Sequence, residues 1–70
     1  MTFNQTVLTK GTIHLTRVSV TRGVMVFVVE YKGCFYVSTA ILTGTGMEHD
    51  ECFDCQDRDD AMHYATVQYE

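Results

Sequence analysis

Three dipeptides of one kind, Lys10-Gly11, Arg22-Gly23 and Lys32-Gly33, recur along this chain at intervals of 12 and 10 residues. Glycine supplies the positive φ that tight hairpin turns require, and the runs between these pairs have the Val, Thr, Ile, Phe and Tyr content and the length of strands. The spacing predicts an antiparallel four-strand meander over about residues 3 to 9, 12 to 20, 23 to 31 and 34 to 42. Thr43-Gly44-Thr45-Gly46 then breaks the pattern, and the acidic segment that follows reads as a loop. A short fifth strand through Glu51, Cys52 and Phe53 is the alternative reading within it.

The chain closes with a helix over about residues 58 to 69. Asp57 is a good N-cap, Asp60 stands three residues on, and Asp59 adds negative charge where the helix dipole favours it. At 100° per residue Ala61, Met62, Ala65 and Tyr69 share one face with Tyr64 at its margin, while Thr66 and Val67 point outward. The expected fold is therefore α+β, a four- to five-strand antiparallel meander with one C-terminal helix packed on one face. Residues 1–70 form a single domain.

Hairpin arithmetic assigns the sheet faces. A two-residue turn at Lys32-Gly33 pairs Tyr31 with Cys34, Val29 with Tyr36 and Phe27 with Ser38, and Met25 and Ala40 fall on the same face. The opposite face carries Val24, Val26, Val28, Phe35, Val37 and Ile41. Both faces are apolar, and one short helix covers only one of them. An open aromatic face marks an association surface, so the expectation is a homodimer through Met25, Phe27, Tyr31 and Tyr36. If the helix lies on that face instead, the Val26, Val28 and Val37 surface takes the contact.

Charge is as unevenly placed as the turns are regular. Seven of the nine carboxylates, Glu48, Asp50, Glu51, Asp54, Asp57, Asp59 and Asp60, lie in a segment whose one cation is Arg58. Residues 1 to 47 balance at +3 and residues 48 to 70 at −7, giving the net −4. Crowded carboxylates repel one another unless a metal, a helix N-terminus or a basic partner compensates. Binding nucleic acid through its phosphates needs a basic stripe, which this chain lacks. Its natural partners are basic surfaces, including those that themselves hold nucleic acid.

The cysteine and histidine pattern offers a metal as an alternative. His49, Cys52, Cys55 and His63 place two thiols at zinc-knuckle spacing with an imidazole on either side, a set able to close a tetrahedral zinc site. Against it, no glycine eases a turn at Phe53-Asp54, and an extended Phe53 entering the core would point Cys52 and Cys55 apart. Folding is expected to need no metal or other cofactor. Cys34 reads as a strand residue beside a turn. Calcium is discounted because the glycine and distal Glu of an EF-hand are missing after Asp57, Asp59 and Asp60. Gly44 and Gly46 lack the Gly-Lys-Ser/Thr that cradles phosphate.

His14, His49 and His63 stand beside no recognisable nucleophile turn, and a chain this small builds scarcely any concave site, so an enzyme is not expected. Three cysteines, an odd number, and no basic-then-apolar leader place the chain in a reducing cytoplasm, and no run approaches the roughly 20 apolar residues of a membrane span.

About 70 residues, acidic, with a meander, one helix and no enzyme motif, the chain resembles the small proteins that phages and mobile elements encode to disable host machinery, and among these the anti-CRISPR proteins. The resemblance covers architecture and charge along the whole chain. It implies a binding inhibitor in the host cytoplasm and transfers no residue roles; in such an inhibitor Glu48, Asp50, Glu51, Asp54, Asp57, Asp59 and Asp60 would stand in for phosphates against Lys and Arg of a nucleic-acid-binding complex. The alternatives are a zinc-stabilised structural or adaptor module, or an assembly subunit that uses its sheet face.

Overall fold

The computed structural model describes residues 2–67. Four strands, β1 (Thr12–Ser19), β2 (Val24–Tyr31), β3 (Cys34–Thr43) and β4 (Gly46–Cys55), pair antiparallel in the order β1-β2-β3-β4. A helix precedes them, α1 (Phe3–Lys10), and another follows, α2 (Arg58–Val67). The α+β meander expected from the turns is present, with two differences that bear on function.

The first difference is at the N-terminus, where residues 3 to 9 form a helix rather than a strand. Thr6, Val7 and Thr9 give the segment strand composition, but Thr2 and Gln5 form a capping box. Thr2 Oγ1 accepts from the Gln5 amide at 3.2 Å, and Gln5 Oε1 accepts from the Thr2 amide at 2.9 Å. Gly11 is accordingly the end of this helix and not a hairpin turn, its amide donating to the Val7 carbonyl at 2.8 Å. It must be glycine because a Cβ there would run into the Val29 side chain and the Val7 carbonyl. The other two pairs do make turns. Lys32 and Gly33 both have positive φ, 51° and 77°, the twist that suits a two-residue hairpin.

The second difference is that the acidic segment is not a loop. Residues 46 to 55 form the ten-residue strand β4, hydrogen-bonded along β3 with one register shift between Ser38 and Ala40. This makes β4 a sheet edge, with β1 the other.

The β2–β3 register matches the turn arithmetic, with Tyr31 opposite Cys34, Val29 opposite Tyr36 and Phe27 opposite Ser38. Each face then has its own helix. Ala61 and Ala65 of α2, both fully buried, pack on Val26, Val28 and Val37, their short side chains letting the helix sit close. Val7 of α1, also fully buried, packs on Phe27, Val29 and Ala40, with Met25, Tyr31 and Tyr36 at the margin. Phe3 adds edge-to-face contacts to Tyr31 and Tyr36 at centroid separations of 6.4 and 5.3 Å. The face expected to stand open is therefore covered within the chain, and the premise for a dimer through Met25, Phe27, Tyr31 and Tyr36 does not hold.

On α2, Thr66 and Val67 are exposed as expected, and Tyr64 stacks edge-to-face on Phe53 at 4.6 Å. Tyr69 and the last positions of the expected helix lie outside the described residues. Among the described residues no helix is long and apolar enough to cross a membrane.

Candidate protein-binding edge

All seven carboxylates of the acidic segment are exposed, and the fold gathers them along one side of the molecule. Glu48, Asp50, Glu51 and Asp54 stand on β4, and Asp57, Asp59 and Asp60 begin α2 directly after it. What fixes β4 in this position is a small buried polar network. Asn4, only 8% exposed, donates through Nδ2 to the Glu51 carbonyl at 2.9 Å, with a longer contact of 3.5 Å to the Thr39 carbonyl. Its Oδ1 accepts a hydrogen bond from the Ser38 hydroxyl. The Glu51 amide in turn donates to Thr39 Oγ1 at 3.1 Å. These bonds satisfy backbone groups that the register shift between Ser38 and Ala40 removes from the ladder, so α1 is tied to the irregularity that displays Asp50 and Glu51.

Three of the seven acids have a local structural setting. Asp57 caps α2, its Oδ1 accepting from the Asp60 amide at 2.8 Å while its carbonyl accepts from the Ala61 amide at 3.1 Å. Asp60 reaches back to the Gln56 amide at 3.2 Å, and Asp59 lies in the first turn, where the helix dipole favours it. The side chains of Glu48, Asp50, Glu51 and Asp54 make no hydrogen bond or ion pair with the described residues. The one ion pair whose two members are both described is His14 with Glu30, at 3.0 Å, far from this edge.

α2 itself separates the charges. It leaves β4 with its acidic start and ends near β1, where Arg17 donates to the Ala65 and Thr66 carbonyls at 3.3 and 3.0 Å. Its N-terminus, with the acids, thus lies on the β4 side, and its C-terminus is capped by a cation from β1.

The candidate zinc ligands are not brought together. Phe53 turns into the α2 face, and with it Cys55, while Cys52 packs on the α1 face, so the two thiols lie on opposite sides of the sheet. His63 is exposed on α2. Among the described residues no three His, Cys, Asp or Glu side chains are grouped as metal ligands would be. Burial pushes both thiols up from the ordinary range, and the neighbouring carboxylates add to it, Asp54 for Cys52, and Asp60 with Asp54 for Cys55. Such thiols hold their protons, the opposite of what thiolate ligation or nucleophilic attack requires.

The described residues form a concave feature where the sequence predicts scarcely any. A cleft of about 430 Å³ lies between the start of α1 and β4, lined by Asn4, Gln5, Met47, Glu48, His49 and Asp50 among others. His49 is half-buried there, and its Nδ1 is buried without a hydrogen-bond partner among the described residues. The hydroxyl that lines the cleft, that of Thr2, is engaged as the cap of α1, accepting from the Gln5 amide.

The placement of the acids was legible in the sequence as a segment, but their presentation on a sheet edge was not. Neither was the part Asn4 plays, since its partners lie 34 to 47 residues away. No protein family, characterised protein or solved structure was found to match the chain.

Proposed function

We propose that this chain is a small acidic inhibitor that binds a basic, nucleic-acid-binding surface of a host protein complex in the host cytoplasm, in the manner of anti-CRISPR proteins, and acts by occupation without a catalytic step. The observation that carries this reading is the line of exposed carboxylates along β4 and the start of α2, four of which have no partner among the described residues. An extended strand rises about 3.4 Å per residue, so Glu48 to Asp54 spans about 20 Å with four negative charges. One strand of a nucleic acid carries a phosphate about every 3.4 Å of its axis. The β4 edge therefore has somewhat over half the charge density of such a strand, and the helix acids continue it. Single exposed ion pairs contribute little, about 0.2–1 kcal/mol each, so the consequence of this arrangement is fast, salt-sensitive and oriented association rather than high affinity from any one contact.

The test is capture from a bacterial lysate by the immobilised parent and by the variant Asp50→Asn, Glu51→Gln, Asp54→Asn, at low and at high salt. The expected result is that the parent retains nucleic-acid-binding proteins at low salt, that single-stranded DNA displaces them, and that the variant associates with them at least severalfold more slowly. Equal association of parent and variant at both salt concentrations would show the carboxylates to be a solvated surface and would remove the main support for inhibition by charge.

A further inference from the structure

The two edges of the sheet are not alike. β4 carries Glu48, Asp50, Glu51 and Asp54, so a second copy approaching it edge to edge would set like charge against like charge. β1 carries no carboxylate. Its two ionisable side chains are held within the chain, His14 by Glu30 and Arg17 by the end of α2. Both helices pack mainly on β2, β3 and β4; β1 meets α2 on one face through Leu15 and Arg17, while Ile13 and Val18 on its other face stay exposed. Ile13 is 46% exposed, Val18 54% and, just beyond the strand, Val20 85%.

We infer that β1 is a self-association edge, on which a second copy of this chain adds its own β1 antiparallel to form one eight-stranded sheet across a two-fold axis. The occupant is argued from charge. The acids of β4 lie three strands away, about 14 Å at the usual spacing of about 4.8 Å, beyond the Debye length of about 8 Å at physiological salt. Joining through β1 is thus the approach that keeps the two acidic edges farthest apart. The register that sets Val18 against Val18 of the second copy pairs apolar side chains on the α1 side of the sheet. Shifting it to centre on Arg17 would bring two guanidinium groups together. Residues 15 to 19 are regular, whereas the register shift between Ile13 and Leu15 ends the pairing on that side. So short an edge buries less than about 1,200 Å² in total, which makes the dimer dependent on concentration. This surface differs from the Phe27 face and is independent of what the acidic edge binds.

Sedimentation of the full chain from micromolar to millimolar concentration tests the proposal. The expected result is a reversible doubling of mass for the parent, lost in Val18→Lys, with the circular dichroism of the monomer unchanged. A second measurement serves if Val18→Lys does not fold. In a Cys34→Ser background, Val18→Cys should form a covalent dimer under mild oxidation at least several times faster than Met47→Cys, which lies on the acidic strand. A parent that stays monomeric at millimolar concentration, a Val18→Lys variant that still dimerises, or equal cross-linking at the two positions would each overturn the proposal. So would growth beyond a dimer, the outcome of adding β1 of one copy to β4 of the next.

Discussion

Replacing Asn4 by alanine tests whether the polar network under α1 holds the acidic edge in place. The substitution removes the donor to the Glu51 carbonyl at 2.9 Å and the acceptor of the Ser38 hydroxyl, and Ser38 is fully buried. Leaving a buried polar group unpaired costs about 1–3 kcal/mol. The Glu51 carbonyl is part-buried and regains some solvent, so the two together predict a loss of about 2–4 kcal/mol. That is a large share of the about 4–10 kcal/mol expected for a chain of this length. Urea unfolding followed by circular dichroism reads it directly. The double variant Asn4→Ala, Ser38→Ala removes the orphaned hydroxyl as well, and should be less destabilised than the sum of its parts by about 1 kcal/mol. A loss below about 0.5 kcal/mol for Asn4→Ala, or strict additivity in the double variant, would show that the network contributes little and that β4 is held by its ladder with β3 alone.

Two further predictions address α2 and the thiols. Asp57→Ala should cost about 1 kcal/mol through loss of the N-cap, lowering the melting temperature by about 4–8 °C, and a melting curve superimposable on the parent would refute the capping role. Cys34 is exposed, whereas Cys52 and Cys55 are half-buried and burial raises their pKa values, so a thiol-reactive disulfide reagent should label one site quickly and two slowly at about pH 8. A thiol whose folded pKa is raised binds its proton more firmly in the native state, so its contribution to stability is complete below the unfolded value and is lost as pH rises through the folded one. The urea midpoint should therefore fall as pH rises past the ordinary thiol value of about 8.5, and a midpoint that rises there would contradict the assigned direction.

The parts of the fold legible in the sequence are those fixed by local chemistry. Lys32-Gly33 forces a two-residue turn, and from it alternation fixes every pair between β2 and β3. Asp57 followed by Asp60 marks the start of α2 because a short polar side chain satisfies an amide within its own turn. α1 was hidden because eight residues are too few to be stable as an isolated helix. Its β-branched residues disfavour the conformation, and what decides the matter is Val7 and Asn4 docking on residues 20 or more positions away. β4 was hidden for the complementary reason. Asp and Glu are depleted in strands because most strands are half-buried, but on this edge all four acids point to water while Cys52 and Phe53 take the inward positions. Once α1 is a helix, the second apolar face of the sheet is accounted for inside the chain.

The meander also turns a linear property into a spatial one. Because the strand order equals the sequence order, position along the chain becomes position across the sheet. The seven acids that stand close together in the sequence are thereby gathered on β4 and the start of α2, at the opposite edge of the sheet from β1, which carries none. A connection that crossed over, placing β4 between β1 and β2, would have buried the same acids among apolar neighbours at a cost of several kcal/mol for each unpaired charge. In the observed order they cost only mutual repulsion at an exposed edge, and Arg17 at the far end of α2 strengthens the separation by holding the helix C-terminus against β1. A charge asymmetry of this kind acts before contact. Under the proposed function it would turn the molecule so that β4 faces a basic surface during approach, with β1, where no carboxylate stands, on the opposite side of the sheet.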